Sequence, residues 1–140
     1  MKKSTQNRDI IDAFYKHCFN DAHSDELESH VRRAVAEDWT ATPTVYGGDG
    51  VEGLTKTLRF LASEIPDLQW TPQEIIECDD RIVVRSLVTG TPKNTFMGVE
   101  PHGSFSINTI DIHHIKDGRI ASTFRVEDWG RAREQMKRTR

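Results

Sequence analysis

The stretch FSINTIDIHHIKDGRIASTFRVED, residues 105–128, decides the fold that this sequence predicts. Both ends of the stretch are rich in β-branched residues, and the pair Asp117-Gly118 lies between them. An Asp-Gly pair between two such runs is a strong signal for a β-hairpin, because a tight turn requires positive φ angles that these residues tolerate. The stretch therefore predicts two antiparallel strands, Phe105–Ile115 and Arg119–Glu127.

A second hairpin is predicted just upstream, from strands Leu68–Cys78 and Arg81–Thr89 around a short acidic turn. The segment between the two hairpins, Gly90–Ser104, is a loop long enough to cover the end of a pocket. Trp39–Tyr46 also has the composition of a strand, and Pro43 restricts it to a sheet edge or a bend.

Apolar residues recur at helical spacing in three segments before Pro66. The first segment is Arg8–Phe19. The second begins at Asp25, which together with Glu28 matches a capping box. The third covers residues 54–65, and Pro66 ends it. Helices followed by hairpins predict one α+β domain over residues 1–140, in which three N-terminal helices cover one face of a curved antiparallel sheet.

Composition restricts the partners of this chain. A formal net charge of -3 argues against nucleic acid, whose binders concentrate positive charge. No apolar run is long enough to span a membrane, and the charged start lacks the apolar segment of a secretory signal, so the cytoplasm is the expected location. Cys18 and Cys78 lie far apart and outside any CxxC pair, which predicts buried thiols in a reducing compartment rather than a disulfide or a zinc site. A solvated helix end is predicted for the basic tail, which carries Arg131, Arg133, Lys137, Arg138 and Arg140.

Motifs for other chemistries are absent or out of context. Residues 48–53 spell GxGxxG, but a dinucleotide fingerprint requires a parallel strand after the helix, and antiparallel hairpins follow here. These glycines are therefore predicted to form a tight loop that enters a helix. His113 shares a strand face with Asp111, but the sequence identifies no further ligand, so no metal site is predicted.

Asp111 is the residue on which function depends, because it interrupts a run that is otherwise fit for a buried strand. Inside an apolar cavity its pKa would rise, which allows a carboxyl group to accept and return a proton at neutral pH. On the solvent side, or paired with Arg119 or Arg125 across the hairpin, it would be an ordinary charged group. The residues alone leave both alternatives open.

The hairpin turn permits two registers. A two-residue turn pairs Lys116 with Arg119 and places Asp111 opposite Phe124. The side chains around the acid would then be apolar, namely Ile107, Ile120, Phe124 and Val126. A three-residue turn with a glycine bulge would instead place the acid among Thr123, Arg125 and Glu127. The first register is favoured because it groups the apolar residues on one face.

Several short motifs occur in a characteristic order: Pro66-Asp67-Leu68, Asp80-Arg81-Ile82-Val83-Val84-Arg85, Thr89-Gly90-Thr91, Phe96-Met97-Gly98-Val99-Glu100-Pro101-His102-Gly103, Ile110-Asp111-Ile112 and Asp117-Gly118-Arg119-Ile120. Their order and spacing resemble the SnoaL-like polyketide cyclases of the nuclear transport factor 2-like superfamily, over most of the chain from Ile10 to Trp129. The resemblance implies a cone of curved antiparallel sheet wrapped by three helices, with an internal pocket and a homodimer.

The resemblance also implies a reaction. Characterised members close a ring by intramolecular aldol condensation of a polyketide ester without metal or cofactor, and an aspartate on a late strand serves as general acid and base. Asp111 is the matching position here. Ketosteroid isomerase, a relative with the same fold, also uses an aspartate base. Where relatives carry polar pocket residues, this chain has Pro92 after its Gly-Thr pair and Thr123-Phe124-Arg125 on the last strand, and Thr42 is the nearest match after Trp39.

The first hypothesis is therefore a cofactor-independent cyclase or isomerase that acts on a small hydrophobic carbonyl compound, with Asp111 as acid and base. Its pocket is predicted to be lined by Tyr15, Trp39, Thr42, His113 and Phe124, although the aromatic residues among them also fit ordinary core packing. Two alternatives remain. One is a non-catalytic module that binds a hydrophobic ligand or dimerises through its sheet, and the other is a hydrolase or dehydratase of the same fold that uses Asp111 with His113.

Overall fold

The computed structural model describes residues 2–137, with side chains from Gln6 onward. The helices are α1 (Lys2–Ala13), which continues into a π-helical turn (Phe14–Phe19), α2 (Leu27–Ala34), α3 (Gly50–Glu64) and α4 (Trp129–Lys137). The strands are β1 (Val35–Thr42), β2 (Gln69–Cys78), β3 (Arg81–Gly90), β4 (Phe105–Lys116) and β5 (Arg119–Glu127). The predicted α+β class is confirmed.

The five strands form one open sheet in the order β1-β5-β4-β3-β2. Strands β2 to β5 are antiparallel to their neighbours, whereas β1 pairs with β5 in parallel. The sheet is therefore mixed, which corrects the prediction of a purely antiparallel sheet. Short turns fix the direction within the β2–β3 and β4–β5 hairpins, but no short turn joins β1 to β5, so the sequence does not fix their relative direction.

The start of the chain departs from the prediction at two places. The predicted capping box does not form, because α2 begins at Leu27 and the residue before it, Glu26, makes no side-chain cap. The backbone N–H of Glu26 instead bonds the Ser24 hydroxyl. Strand β1 begins directly after α2, four positions earlier than expected, and Pro43 follows its end at the sheet edge.

The glycines at residues 47–53 form a tight entry into α3, as predicted. Gly48 and Gly50 have φ angles of 96° and 77°, which favour residues without a side chain. A Cβ atom on Gly53 would lie 2.2 Å from the carbonyl oxygen of Gly48. Because α3 leads into the antiparallel β2–β3 hairpin, this loop does not belong to a dinucleotide-binding βαβ unit.

The long loop before β4 is pinned by the last helix. Phe96 and Val99 form a small bridge around a turn at Met97 and Gly98. Arg133 of α4 donates from Nε to the carbonyl oxygen of Met97, at 3.1 Å. The loop is thus held against the body of the protein.

Helix α4 is less exposed to solvent than the basic residues of the tail predict. Ala132 and Met136 are buried, so one face of the helix packs against the core. Arg138 and Arg140 lie outside the described residues. Over residues 2–137, no helix has the length and apolar character needed to cross a membrane.

Candidate active site in the sheet concavity

The register of the β4–β5 hairpin decides which side chains surround Asp111. The turn has two residues, because Lys116 pairs with Arg119. A bulge at Ala121 then shifts the ladder by one position, since Ile115 pairs with Ile120 and His114 pairs with Ser122. Asp111 consequently lies opposite Arg125.

This bulge corrects the favoured surroundings of the acid. Thr123, Arg125 and Glu127 face inward with Asp111, as the second predicted register required, although the turn itself is that of the first. Phe124 and Val126 face outward and are 55% and 61% exposed. The sequence could not reveal the bulge, because Ala121 carries no turn or breaker signal.

A cavity of about 240 Å³ lies between the inner face of the sheet and the helices. Its wall is largely aromatic, with Phe14, Phe19, Trp39, Tyr46, Phe60, Trp70, Phe96 and Trp129. The hairpin contributes a polar strip, formed by Asp111, His113, Thr123, Arg125 and Glu127. An apolar cavity with a few convergent polar groups is the usual form of a site for a small molecule.

Asp111 is only 3% exposed, and its carboxyl group faces this cavity. The Tyr15 hydroxyl donates a hydrogen bond to Oδ2 at 2.7 Å. Burial raises the pKa of Asp111 to about 7, with a smaller upward effect from Glu127, while the Tyr15 hydrogen bond and Arg125 oppose the rise. The acid is therefore partly protonated at neutral pH.

His113 lies two positions along the same face and is fully buried. Its Nε2 is 2.7 Å from the Tyr15 hydroxyl, and its Nδ1 is 2.8 Å from Oγ1 of Thr123. Burial lowers the pKa of His113 to about 3, so the ring is neutral at pH 7. A neutral imidazole has one N–H donor and one acceptor nitrogen.

The direction of the hydrogen bonds around His113 follows from its neighbours. The single Tyr15 proton goes to the Asp111 carboxylate, so Nε2 of His113 must donate to the Tyr15 oxygen. Nδ1 is then the acceptor, and Thr123 donates to it. Trp39 Nε1 donates to Oγ1 of Thr123 at 3.1 Å. A series of hydrogen bonds thus runs from Trp39 through Thr123, His113 and Tyr15 to Asp111, and we call it the donor chain.

The π-helical turn places aromatic residues that follow α1 against the donor chain, where the Phe14 ring contacts the His113 ring. Phe14 and Tyr15 are both buried, and the Phe14 ring lies edge-on to Phe19 with centroids 5.1 Å apart. A π turn holds more residues than an α turn and occurs often at functional sites. The sequence predicted a helix here but gave no signal for the wider turn.

Arg125 is held beside the acid by several hydrogen bonds. The sequence indicated it as a possible ion-pair partner of Asp111 and, in the second register, as its neighbour. Its Nε donates to the carbonyl oxygen of Pro43 at 2.8 Å, and its Nη2 donates to that of Thr44 at 3.1 Å. Nη1 lies 3.1 Å from Oε1 of Glu127. Trp129 Nε1 also donates to this oxygen at 2.7 Å.

The structure brings together some of the predicted pocket residues. Asp111, His113 and Trp39 line the cavity. Tyr15 does not line the cavity, although its hydroxyl donates a hydrogen bond to the Asp111 carboxyl group. Their roles toward a substrate stay predictions.

Thr42 and Phe124 do not line the cavity, which corrects both predictions. Thr42 is exposed because the inward positions at this end of β1 are Trp39 and Ala41. Phe124 lies between the inward residues Thr123 and Arg125 and therefore points to the opposite face of the sheet.

Known structures share this architecture. TsrD from Streptomyces laurentii superposes with a TM-score of 0.81 at 23% identity, covering 94% of this chain and 95% of TsrD. Wild-type IdmH from Streptomyces antibioticus, a candidate polyketide cyclase, superposes with a TM-score of 0.75 at 26% identity, covering 93% of this chain and 97% of IdmH. A hypothetical protein from Catenulispora acidiphila with a ketosteroid isomerase-like fold superposes with a TM-score of 0.71 at 12% identity, with 91% of each chain covered.

Sequence comparison gives the family. A search of curated proteins found no match. The family model for SnoaL-like polyketide cyclases matches residues 9–136, which is nearly the whole chain. This chain therefore belongs to the SnoaL-like polyketide cyclase family, as its motifs predicted.

Proposed function

We propose that this protein is a cyclase-type enzyme that uses Asp111 as general acid and base, without metal or cofactor, on a small hydrophobic carbonyl compound. Family membership supports a cyclase-type role. The observation that carries the proposed role of Asp111 is its position, since the residue is 3% exposed and lines an aromatic cavity. A desolvated carboxyl group in such a site is poised for proton transfer.

The pKa of Asp111, about 7, suits both halves of an aldol condensation. The ionised carboxylate takes a proton from a carbon atom next to a carbonyl, which leaves an enolate. The enolate carbon attacks a second carbonyl group of the same molecule and forms the new C–C bond. The protonated Asp111 then gives its proton to the oxygen of that carbonyl, which becomes a hydroxyl group, and the carboxylate is restored.

The donor chain from Trp39 positions the acid for this work. Tyr15 engages Oδ2, and no hydrogen bond from a described residue engages Oδ1. We therefore assign Oδ1 as the atom that takes up and returns the proton. His113 stays neutral and holds the Tyr15 hydroxyl in place, which makes it a positioning residue.

Hydrogen exchange tests the proposal without knowledge of the natural substrate. A panel of aryl ketones is incubated with the protein in D2O, and loss of the α-proton signals is followed by ¹H NMR. The wild type should accelerate exchange, and Asp111→Asn should reduce the acceleration by at least about 100-fold, since it removes the base. Asp38→Asn, which changes an exposed acid on β1, is the matched control.

Other outcomes separate the alternatives. If ketones raise the thermal stability of the wild type and of Asp111→Asn equally and neither variant exchanges protons, a binding module is supported and the catalytic proposal fails. If no ketone binds, the proposed ligand class is wrong. A hydrolase with a direct Asp111–His113 base pair has less support, because the Tyr15 hydroxyl lies between the two side chains.

We further propose a homodimer that forms through the outer face of the sheet. Ile112 pairs with Phe124 and Ile110 pairs with Val126, so these four residues form one patch. They are between 39% and 61% exposed. Exposed apolar patches of neighbouring residues commonly mark contacts between proteins. A second copy would cover the patch with the same residues in a two-fold arrangement.

The proposed location is the cytoplasm. Cys18 and Cys78 are the two cysteines of the chain, and both are free thiols. Cys18 is buried as predicted, whereas Cys78 is exposed, which corrects the prediction for that residue. Free thiols suit a reducing compartment.

A further inference from the structure

We infer that Arg125 and Glu127 form a charge-compensated subsite in the cavity, which binds a neutral carbonyl oxygen of an ester or ketone and excludes a free carboxylate. The inference rests on the proposed function only in taking a carbonyl compound as the occupant of the cavity. It adds a recognition element, because neither residue takes part in the proton transfer assigned to Asp111.

The guanidinium group of Arg125 is fixed before any ligand arrives. The carbonyl oxygens of Pro43 and Thr44 accept from its Nε and Nη2, at 2.8 and 3.1 Å. Its side chain is 19% exposed and lines the cavity. A donor that is already ordered loses little conformational entropy when a ligand binds.

Arg125 also retains donor capacity toward the cavity. A guanidinium group has more N–H donors than the two hydrogen bonds to backbone oxygens use. Nη1 faces only the Glu127 carboxylate among the described residues. Asp111 pairs with Arg125 across the hairpin, so an oxygen held by Arg125 would lie near the acid that deprotonates the neighbouring carbon.

Glu127 cancels the charge of this guanidinium. Its side chain is 10% exposed, and its Oε1 is 3.1 Å from Nη1 of Arg125. Trp129 donates to the same oxygen at 2.7 Å and holds the carboxylate in position. The nearest cation to a ligand is therefore already neutralised.

A ligand carboxylate would meet two acids and one guanidinium in this cavity. Glu127 opposes a further negative charge, and so does Asp111 when it is ionised, while Arg125 is the guanidinium beside both. Burying an anion without a free counter-charge is unfavourable, whereas a neutral carbonyl oxygen needs only a donor. The arrangement thus favours an ester over the corresponding acid.

A matched pair of probes tests this subsite: methyl 4-acetylbenzoate and 4-acetylbenzoate, which differ only in the ester group. Binding is measured by calorimetry at pH 6, where Asp111 is mostly protonated because its pKa is about 7. The wild type should bind the ester at least about tenfold more tightly than the acid. Glu127→Gln leaves Arg125 uncompensated, so the affinity for the acid should rise about tenfold while that for the ester changes little.

Two further variants keep the test decisive if Glu127→Gln folds poorly. Glu74→Gln breaks an exposed ion pair with Arg85 outside the cavity and should leave the selectivity unchanged. The double variant Arg125→Gln/Glu127→Gln removes both charges, so it should weaken ester binding without restoring binding of the acid.

Equal affinity for ester and acid in the wild type would overturn the inference, and so would an acid affinity that Glu127→Gln does not raise. Absence of ester binding would also contradict it. These outcomes are independent of catalysis. If the ester selectivity is found but proton exchange does not depend on Asp111, the subsite stands and the proposed function fails.

Discussion

Around Asp111, the two faces of the β4–β5 hairpin differ in the opposite sense from most half-covered sheets, whose covered face is apolar and whose open face is polar. The covered face carries Asp111, His113 and Thr123, which are buried and polar. The open face carries Ile112 and Phe124, which are apolar and exposed. Alternation along a strand separates two sets of side chains but does not say which set is covered. The proposed acid/base site and the proposed homodimer would each use one of these two sets of side chains.

The largest expected effect on the covered face is a pH-dependent gain in stability from Asp111→Asn. The pKa of Asp111 is raised from its ordinary value near 4 to about 7 in the folded state, mainly by burial, so the folded state binds the proton more tightly. Its contribution to stability is therefore lost as pH rises from about 4 to about 7. At pH 8 the variant should be more stable than the wild type by up to about 4 kcal/mol, as measured by urea unfolding.

His113 provides the internal check on that prediction. Its pKa is lowered to about 3 in the folded state, so its contribution to stability is lost as pH falls below about 6.5. The two effects oppose each other in the wild type between about pH 4 and 6.5. Asp111→Asn should expose the His113 effect as a rise in stability over this range. Equal pH profiles for the two proteins would contradict the assignment.

A smaller loss is expected from Thr123→Val on the same face. The variant leaves Trp39 Nε1 without its acceptor and Nδ1 of His113 without its donor. Unpaired buried polar groups should reduce the free energy of unfolding by about 2 kcal/mol. Ser122→Ala, one position along on the open face, is the matched control and should change stability by less than about 0.5 kcal/mol. Similar losses in both variants would show that the donor chain contributes nothing.

The smallest effect on folding is expected from Phe124→Ser on the open face. The Phe124 side chain is 55% exposed, so unfolding of the dilute protein should change by less than about 0.5 kcal/mol. Self-association, measured by sedimentation velocity, should weaken clearly if the proposed homodimer uses this face. A monomeric wild type, or a dimer that the variant does not weaken, would contradict that proposal.

Much of the fold could be predicted from local signals in the sequence. The bounds of β2 to β5 were predicted to within a residue, because short turns of Asp and Gly interrupt strongly β-forming runs. The direction of β1 was not predictable, since its partner β5 lies at the far end of the chain. The capping box failed because α2 begins at Leu27, so Asp25 does not hold the position directly before the helix.

The candidate site was predictable only where a residue conflicted with its surroundings. Asp111 stood out because it is an acid within a run of isoleucines. The inward position of Arg125 and Glu127 depends on the bulge at Ala121, for which the sequence gives no signal. Tyr15 reaches the acid from a distant helix, so no local pattern could reveal the hydrogen bond.

The bulge at Ala121 also has a consequence for how relatives of this protein diverge. Inward positions change from Ile120 on one side of it to Thr123 on the other. A relative that lacks Ala121 would keep Arg125 opposite Asp111 without a bulge, whereas a relative with the same number of residues and a regular ladder would place Phe124 opposite Asp111. The chemistry of this wall therefore depends on whether the bulge forms as well as on residue identity. An ungapped alignment of β5 would compare inward residues of one protein with outward residues of another.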